Sequence, residues 1–91
     1  MTARQTELRR EEEQVAAERL AVRIRQQVLQ KIGTPLGWHV VQVKPLWGDY
    51  FRVNVLIGES ITTYTIRHSF FLLTDGEGGV VEASPEMVKS Y

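Results

Sequence analysis

The segment 50–74, YFRVNVLIGESITTYTIRHSFFLLT, constrains the fold more than any other part of the chain, because it predicts two β-strands joined by a turn. Its first half is apolar at every second position, which is the period of a strand with one buried face. Those positions are Phe51, Val53, Val55 and Ile57. Its second half is rich in β-branched and aromatic residues, which suit a pleated surface. With a turn at Gly58-Glu59-Ser60, the segment is predicted to form a β-hairpin.

The register of this hairpin determines which side chains share the core. We expect Ile57 to lie opposite Thr62, because the apolar faces of the two strands then coincide. The predicted pairs are Ile57–Thr62, Val55–Tyr64 and Val53–Ile66. On the second strand the same face also carries Phe70 and Leu72. A slip by one residue would turn each of these side chains to the opposite face.

Two further strands complete the predicted sheet. Residues 38–44, WHVVQVK, predict a strand that ends near Pro45, because proline has no amide hydrogen for the ladder. Its predicted pairs with the hairpin are Val43–Val53, Val41–Val55 and His39–Ile57. A short strand at 80–83 follows the glycine-rich loop 75–79. Residues 84–91 begin with Ser-Pro-Glu, a helix-start pattern, and predict a short helical turn.

A long helix is predicted from Thr6 to about Ile32. Helix-forming residues dominate this segment, and the first glycine after it is Gly33. Gly33 has the position of a C-cap, and Pro35 follows it as a stop signal.

The predicted helix is longer than the predicted strands. About 27 helical residues span about 40 Å, whereas a strand of about eight residues spans about 27 Å. We therefore expect residues 18–32 to pack on the sheet and the highly charged residues 1–17 to overhang it.

The predicted order is α-β-β-β-β-α, which defines one α+β domain over residues 1–91. The long N-terminal helix covers one face of a four-stranded antiparallel meander sheet, which spans residues 38–83. The formal net charge is zero, from 11 basic and 11 acidic residues, so no global field attracts nucleic acid or a membrane. The chain contains no cysteine, and no apolar run approaches the about 20 residues that span a bilayer. We expect a cytoplasmic protein of bacterial type that does not associate with membranes.

No set of residues in the sequence predicts catalysis. The histidines, His39 and His68, fall on the first and third strands at core-facing positions toward opposite ends, which separates them as metal ligands. No serine has the context of a nucleophile, and no glycine-rich loop opens a helix. We therefore expect a protein that is not an enzyme and that holds no metal or cofactor.

The predicted registers place a row of three cations on the outer face of the sheet, which is the face away from the helix. These cations are Lys44, Arg52 and Arg67. Adjacent like charges destabilise a sheet, so the row predicts an anion site for phosphate, nucleic acid or an acidic partner. Tyr50 and Trp47 would add stacking surfaces for single-stranded nucleic acid. Alternatively, the side chains extend into solvent, or Glu82 or a carboxylate of the helix neutralises them.

The same face is predicted to be unusually apolar. Its apolar members are Val40, Leu56, Phe71, Leu73 and Val80. Either a second molecule covers this face, or a β-bulge near residues 67–69 changes the alternation and leaves only one side buried.

These features predict a non-enzymatic protein-protein interaction module that forms a homodimer. The predicted contact residues on the helix, which recur every seven positions, are Leu8, Val15 and Val22. Those on the sheet are Leu56, Phe71, Leu73 and Val80. The alternative function is nucleic-acid or phosphate binding on the cationic row.

Overall fold

A computed structural model describes residues 3–91 and contains one helix and four strands. The helix α1 spans Ala3–Ile32, and the strands are β1 (His39–Pro45), β2 (Tyr50–Ser60), β3 (Thr63–Thr74) and β4 (Val80–Ser84). The strands form one antiparallel sheet in the order β1-β2-β3-β4. The predicted α+β class, with a long N-terminal helix and a four-stranded antiparallel meander, is confirmed. Met1 and Thr2, at the start of the predicted overhang, lie outside the described residues.

The core lies between α1 and the inner face of the sheet. One row of the helix is completely buried, and it consists of Ile24, Val28 and Ile32. The sheet contributes Val41, Phe51, Val53, Val55, Phe70 and Leu72. The side chains of residues 7–19 are all exposed, so this part of α1 contributes no buried side chain.

Polar side chains of α1 form hydrogen bonds with the backbone at both edges of the sheet. Arg25 Nε donates to the carbonyl of Val41 at 2.9 Å, on the open edge of β1. On the other side, Arg23 Nη1 donates to the carbonyl of Glu77 at 2.8 Å in the β3–β4 loop. Gln27 accepts the amide hydrogen of Val80 at 2.8 Å with Oε1. These bonds fix the helix across the sheet and occupy backbone groups that a further strand would need.

The register between β1 and β2 agrees with the prediction. The observed pairs include Val43–Val53, Val41–Val55 and His39–Ile57. Both strands keep an uninterrupted alternation, and the short connection between them at 46–49 leaves little freedom to slip.

The predicted register between β2 and β3 is wrong. Val53 lies opposite Phe70, and Val55 lies opposite His68, because the strands continue past Gly58 and turn at Ile61-Thr62. Gly58 belongs to β2, where a Cβ atom would overlap the carbonyl oxygen of Thr63. The glycine therefore permits close approach of two strands rather than forming a turn.

A β-bulge at Arg67 changes the alternation of β3. Val55 pairs with His68 and Leu56 pairs with Ile66, so Arg67 has no partner on β2. The bulge lies within residues 67–69. There the sequence predicts a β-bulge as the alternative to an outer face that a second molecule covers. Its consequence is that Ile66 shares the outer face with Leu56, whereas His68 stays on the inner face. Tyr64 and Ile66 are accordingly exposed, although the sequence predicts that they face the core.

The predicted C-terminal helical turn is absent from the structure, because residues 86–91 contain no helix. The backbone amides of Ser90 and Tyr91 instead donate to the carbonyl of Ile32 at 2.8 and 2.9 Å. These bonds cap the end of α1, where carbonyl groups lack partners within the helix. A helix of one turn is marginal by itself, so this tertiary contact outweighs the helix-start pattern at Ser84.

Candidate interaction surfaces

The exposed apolar side chains of α1 form a line that we call the helix stripe. It consists of Leu8, Val15 and Val22, which are 51%, 51% and 43% exposed. The positions are seven residues apart, so they lie close to one line along the helix surface. The stripe thus extends along the exposed half of the helix and one turn beyond it.

The helix stripe points away from the sheet of its own chain. At about 100° per residue, Val15 lies about half a turn around the helix from Ile24, which is fully buried against the sheet. Val22 is likewise close to the side opposite Ile24. No movement of the helix on its own sheet can bury both rows, so the stripe can be covered only from outside this core.

Charged side chains border the helix stripe. Glu11 and Glu12 lie beside its N-terminal half, together with Arg19. Glu18 and Arg23 lie beside its C-terminal half. Among the described residues the structure has one ion pair, in which Arg25 Nη1 lies 3.4 Å from Glu18 Oε1. An apolar centre within a charged border is the usual composition of a protein interface.

One end of the outer face is covered by its own chain. Leu56 is only 3% exposed, although it lies outside the cluster that packs against α1. By the observed register its neighbours across the strands are Val40 and Ile66. The rings of Trp38 and Tyr64 are in contact here, with centroids 6.1 Å apart. The bulge at Arg67 thus supplies Leu56 with apolar neighbours from β3.

The other end of the outer face carries a group of rings that we call the aromatic patch, made of Trp47, Tyr50 and Phe71. Tyr50 and Phe71 are stacked, with centroids 5.2 Å apart. Trp47 contacts both rings at 5.9 and 6.1 Å, and it is 64% exposed. The patch is held by the β1–β2 turn together with two paired strands, so its position depends on the sheet and not on a free loop.

The predicted cationic row is only partly formed. Lys44 lies opposite Arg52, as expected, but Arg52 lies opposite Phe71 and not opposite Arg67, which is the bulge residue. The guanidinium of Arg52 lies 5.9 Å from the centroid of the Phe71 ring. Its Nη1 donates to Ser69 Oγ at 3.3 Å. Arg52 therefore turns toward β3, away from Lys44, which reduces the repulsion between the two cations.

No carboxylate forms an ion pair with Lys44, Arg52 or Arg67 among residues 3–91. The neutralisation by Glu82 that the sequence allowed is therefore not found. Glu82 instead borders a depression beside Tyr50, Phe71 and Leu73.

The predicted contact residues of the sheet have different environments. Phe71 and Leu73 are half-buried on the outer face, and Leu56 is buried there. The placement of Val80 on the outer face is wrong, because Val80 packs against the core on the α1 side. A register irregularity between Leu73 and Thr74 leaves Val81 unpaired and changes the alternation of β4. The exposed residues Tyr64 and Ile66 were missed, since only the bulge brings them to this face.

The described residues contain no group of three histidine, aspartate or glutamate side chains that would hold a metal ion. His68 Nε2 lies 2.8 Å from the hydroxyl of Tyr91, and the His68 ring stacks on Phe70. His39 Nδ1 lies 3.0 Å from the carbonyl oxygen of Gly37. Both histidines thus have partners within the fold.

The fold defines a small α+β protein with one helix across a meander sheet, and its candidate sites are surfaces, namely the helix stripe and the aromatic patch. Comparison of the chain with protein-family models, with curated proteins and with solved structures finds no match. In the part of the chain that the structure describes, α1 is too charged to cross a membrane.

Proposed function

We propose that this protein is a non-enzymatic interaction module that forms a homodimer through the helix stripe. The observation that carries the proposal is that Leu8 and Val15 are half exposed on an α-helix whose core row lies on the opposite side. Aligned apolar side chains with a charged border favour contact with another protein surface. A twofold contact between identical surfaces is the commonest arrangement among oligomers.

A second copy would also stabilise the N-terminal half of α1. Helices derive most of their stability from packing of an apolar face, and residues 7–19 have no buried side chain in the single chain. Covering the remaining surface of each stripe side chain contributes about 1 kcal/mol, since full burial of such a residue contributes about 1.5–3 kcal/mol. Two copies with three stripe side chains each give about 6 kcal/mol before the cost of association is subtracted, so the dissociation constant is expected to be no tighter than the micromolar range. A cytoplasmic location is part of this proposal, since the chain has no cysteine that would need an oxidising compartment.

The proposal is tested by sedimentation equilibrium over a range of protein concentrations. We expect a monomer–dimer equilibrium in the micromolar range, and a monomer when Val15→Glu places a charge in the stripe. Ala17→Glu is the control for added charge, because it places the same charge at an exposed position on the opposite, sheet-facing side of the helix, and thermal unfolding verifies that both variants are folded. A wild-type protein that stays monomeric at high micromolar concentration contradicts the proposal. Equal dimerisation of both variants would show that the stripe is not the contact.

A further inference from the structure

We propose that the aromatic patch, together with Lys44 and Arg52, binds single-stranded nucleic acid. This inference goes beyond the proposed dimer. The helix stripe lies on the side of α1 away from the sheet, and the patch lies on the side of the sheet away from α1, so both can be occupied at once.

The aromatic rings supply a stacking surface. Trp47 is the most exposed ring of the patch, and its neighbours Tyr50 and Phe71 hold it from the side. Unpaired bases stack on such rings without regard to sequence, because every base has a π face. In a duplex the bases are already stacked on each other, so the patch favours a single strand over a duplex.

The two cations supply the complementary charge. Lys44 and Arg52 are a cross-strand pair, and neighbouring strands lie about 4.8 Å apart. Neither cation has a carboxylate partner among the described residues, so both charges are available to an external anion. The guanidinium of Arg52 has five N–H donors, and the structure shows Nη1 directed to Ser69. Its remaining donors can bind a phosphate while the group stays over the Phe71 ring.

Rings and cations are adjacent on one face, and this is what distinguishes the patch from an ordinary apolar surface. Arg52 lies directly opposite Phe71, so a base stacked on the rings would have its own phosphate within reach of the cations. The whole chain carries no net charge, so long-range attraction is weak and binding depends on this local contact. RNA and DNA share this chemistry, and the experiment separates them.

The test is a fluorescence titration with short oligonucleotides. In a Trp38→Phe background Trp47 is the only tryptophan, and stacking of a base should quench its emission. The probes are oligo(dU) and oligo(U) of about ten nucleotides, which differ only in the sugar, and the first expected result is saturable quenching by at least one of them. If two phosphates are neutralised, the logarithm of the affinity should fall with the logarithm of salt concentration with a slope of about −1.4. A preference between the two probes identifies the sugar that the face selects.

Substitutions identify the residues that act. Trp47→Ala in the natural background, measured by anisotropy of labelled oligonucleotide, should weaken binding roughly 5- to 160-fold, the range of one lost base stack. Arg52→Gln should weaken binding and reduce the salt slope, whereas Arg9→Gln on the exposed half of α1 should change neither. Thermal unfolding followed by circular dichroism verifies that each variant is folded.

The outcomes separate this inference from the proposed dimer. Binding that persists in Val15→Glu supports an independent site, whatever the oligomeric state. Absence of saturable quenching with both probes overturns the inference. Dissociation of the dimer by Trp47→Ala, without any oligonucleotide binding, also overturns it and shows that the patch is a protein contact.

Discussion

Val15 and Ile24 lie on opposite sides of the same helix, and their environments differ completely. Val15 is 51% exposed, whereas Ile24 is fully buried against the sheet. One helix therefore presents two apolar rows, of which only the row containing Ile24 is covered by the protein's own core. The two rows should respond differently to mutation, since one contributes to folding of the monomer and the other is proposed to contribute to association.

We expect Ile24→Ala to lower the free energy of unfolding by about 2–5 kcal/mol, the usual cost of such a cavity in a core. Val15→Ala should change it by less than about 0.5 kcal/mol at a concentration where the protein is monomeric. The measurement is urea denaturation at low and at high protein concentration. In the wild type the midpoint should rise with concentration, and in Val15→Ala this rise should shrink. A large loss of monomer stability in Val15→Ala would show that the stripe is part of the core.

The bulge at Arg67 gives a second prediction. Deletion of Arg67 removes a residue that has no partner on β2, so Ile66 and His68 keep their faces. Deletion of Ser69 also restores an uninterrupted strand, but it turns Arg67 toward the core opposite Val55. We expect the first deletion to be folded and the second to be far less stable, because a buried charge without a partner is costly. Thermal unfolding of the two variants decides the matter, and equal losses of stability would contradict the assigned bulge.

Gly33 is predicted to tolerate no side chain. Its φ is +89°, a region that costs other residues about 1–2 kcal/mol. A Cβ atom there would also overlap the backbone of Tyr91. Gly33→Ala should therefore lose more than the backbone cost alone. In a chain that ends at Lys89 the same substitution should lose only the backbone cost, and a double-mutant cycle of unfolding free energies measures the difference. An additive cycle would rule out the contact with Tyr91.

The loop between β3 and β4 should be sensitive to acid. The carboxylate of Asp75 accepts the amide hydrogens of Glu77 at 2.9 Å and Gly79 at 3.0 Å. These bonds lower the pKa of Asp75 below its ordinary value of 3.8. The folded state therefore favours the ionised carboxylate, and this stabilisation is present above pH 3.8 and is lost as the pH falls through the lowered pKa.

We expect Asp75→Asn to be less stable than the wild type at neutral pH. The difference should shrink as the pH falls below the ordinary aspartate value, since the wild type then loses the same charge. Urea denaturation between neutral pH and about pH 2.5 measures this, with Glu77→Gln as the control, because the Glu77 side chain makes no hydrogen bond in the loop. A stability difference that is constant with pH would contradict the role of the Asp75 carboxylate.

The sequence predicts the register between β1 and β2 correctly and the register between β2 and β3 incorrectly. Between Val43 and Val53 both strands alternate without interruption, and the predicted pairing is correct. Between β2 and β3 the predicted pairing is wrong, because the strands turn at Ile61-Thr62 and not at Gly58-Glu59-Ser60, and because the bulge at Arg67 shifts the register by one more residue. The bulge cannot be recognised from the composition of the strand, since the residue that it leaves unpaired is an ordinary arginine. Tyr64 and Ile66, which precede the bulge, therefore lie on the outer face, whereas Phe70 and Leu72, which follow it, stay in the core as predicted.

The two candidate surfaces also differ in how far the sequence predicts them. The helix stripe follows from the seven-residue spacing of Leu8, Val15 and Val22, and the structure shows these side chains exposed. The aromatic patch was only partly foreseen, because the contact of Phe71 with Trp47 and Arg52 depends on the observed pairing of β2 with β3. Leu56 was expected to be available to a partner, yet the chain buries it with residues that the bulge turns outward.

The sequence by itself determined the elements, because their signals are local. Helix propensity, strand alternation and Gly33 as a helix stop each depend on neighbours within a few positions. Only the tertiary structure decided three further points. These are which side chains of β3 face the core, the absence of a helix in the C-terminal segment and the burial of Leu56. In each case contacts between distant segments, such as those of Ser90 and Tyr91 with Ile32, outweigh a weak local preference. The energy of such contacts depends on which segments meet in space, and no short stretch of sequence contains that information.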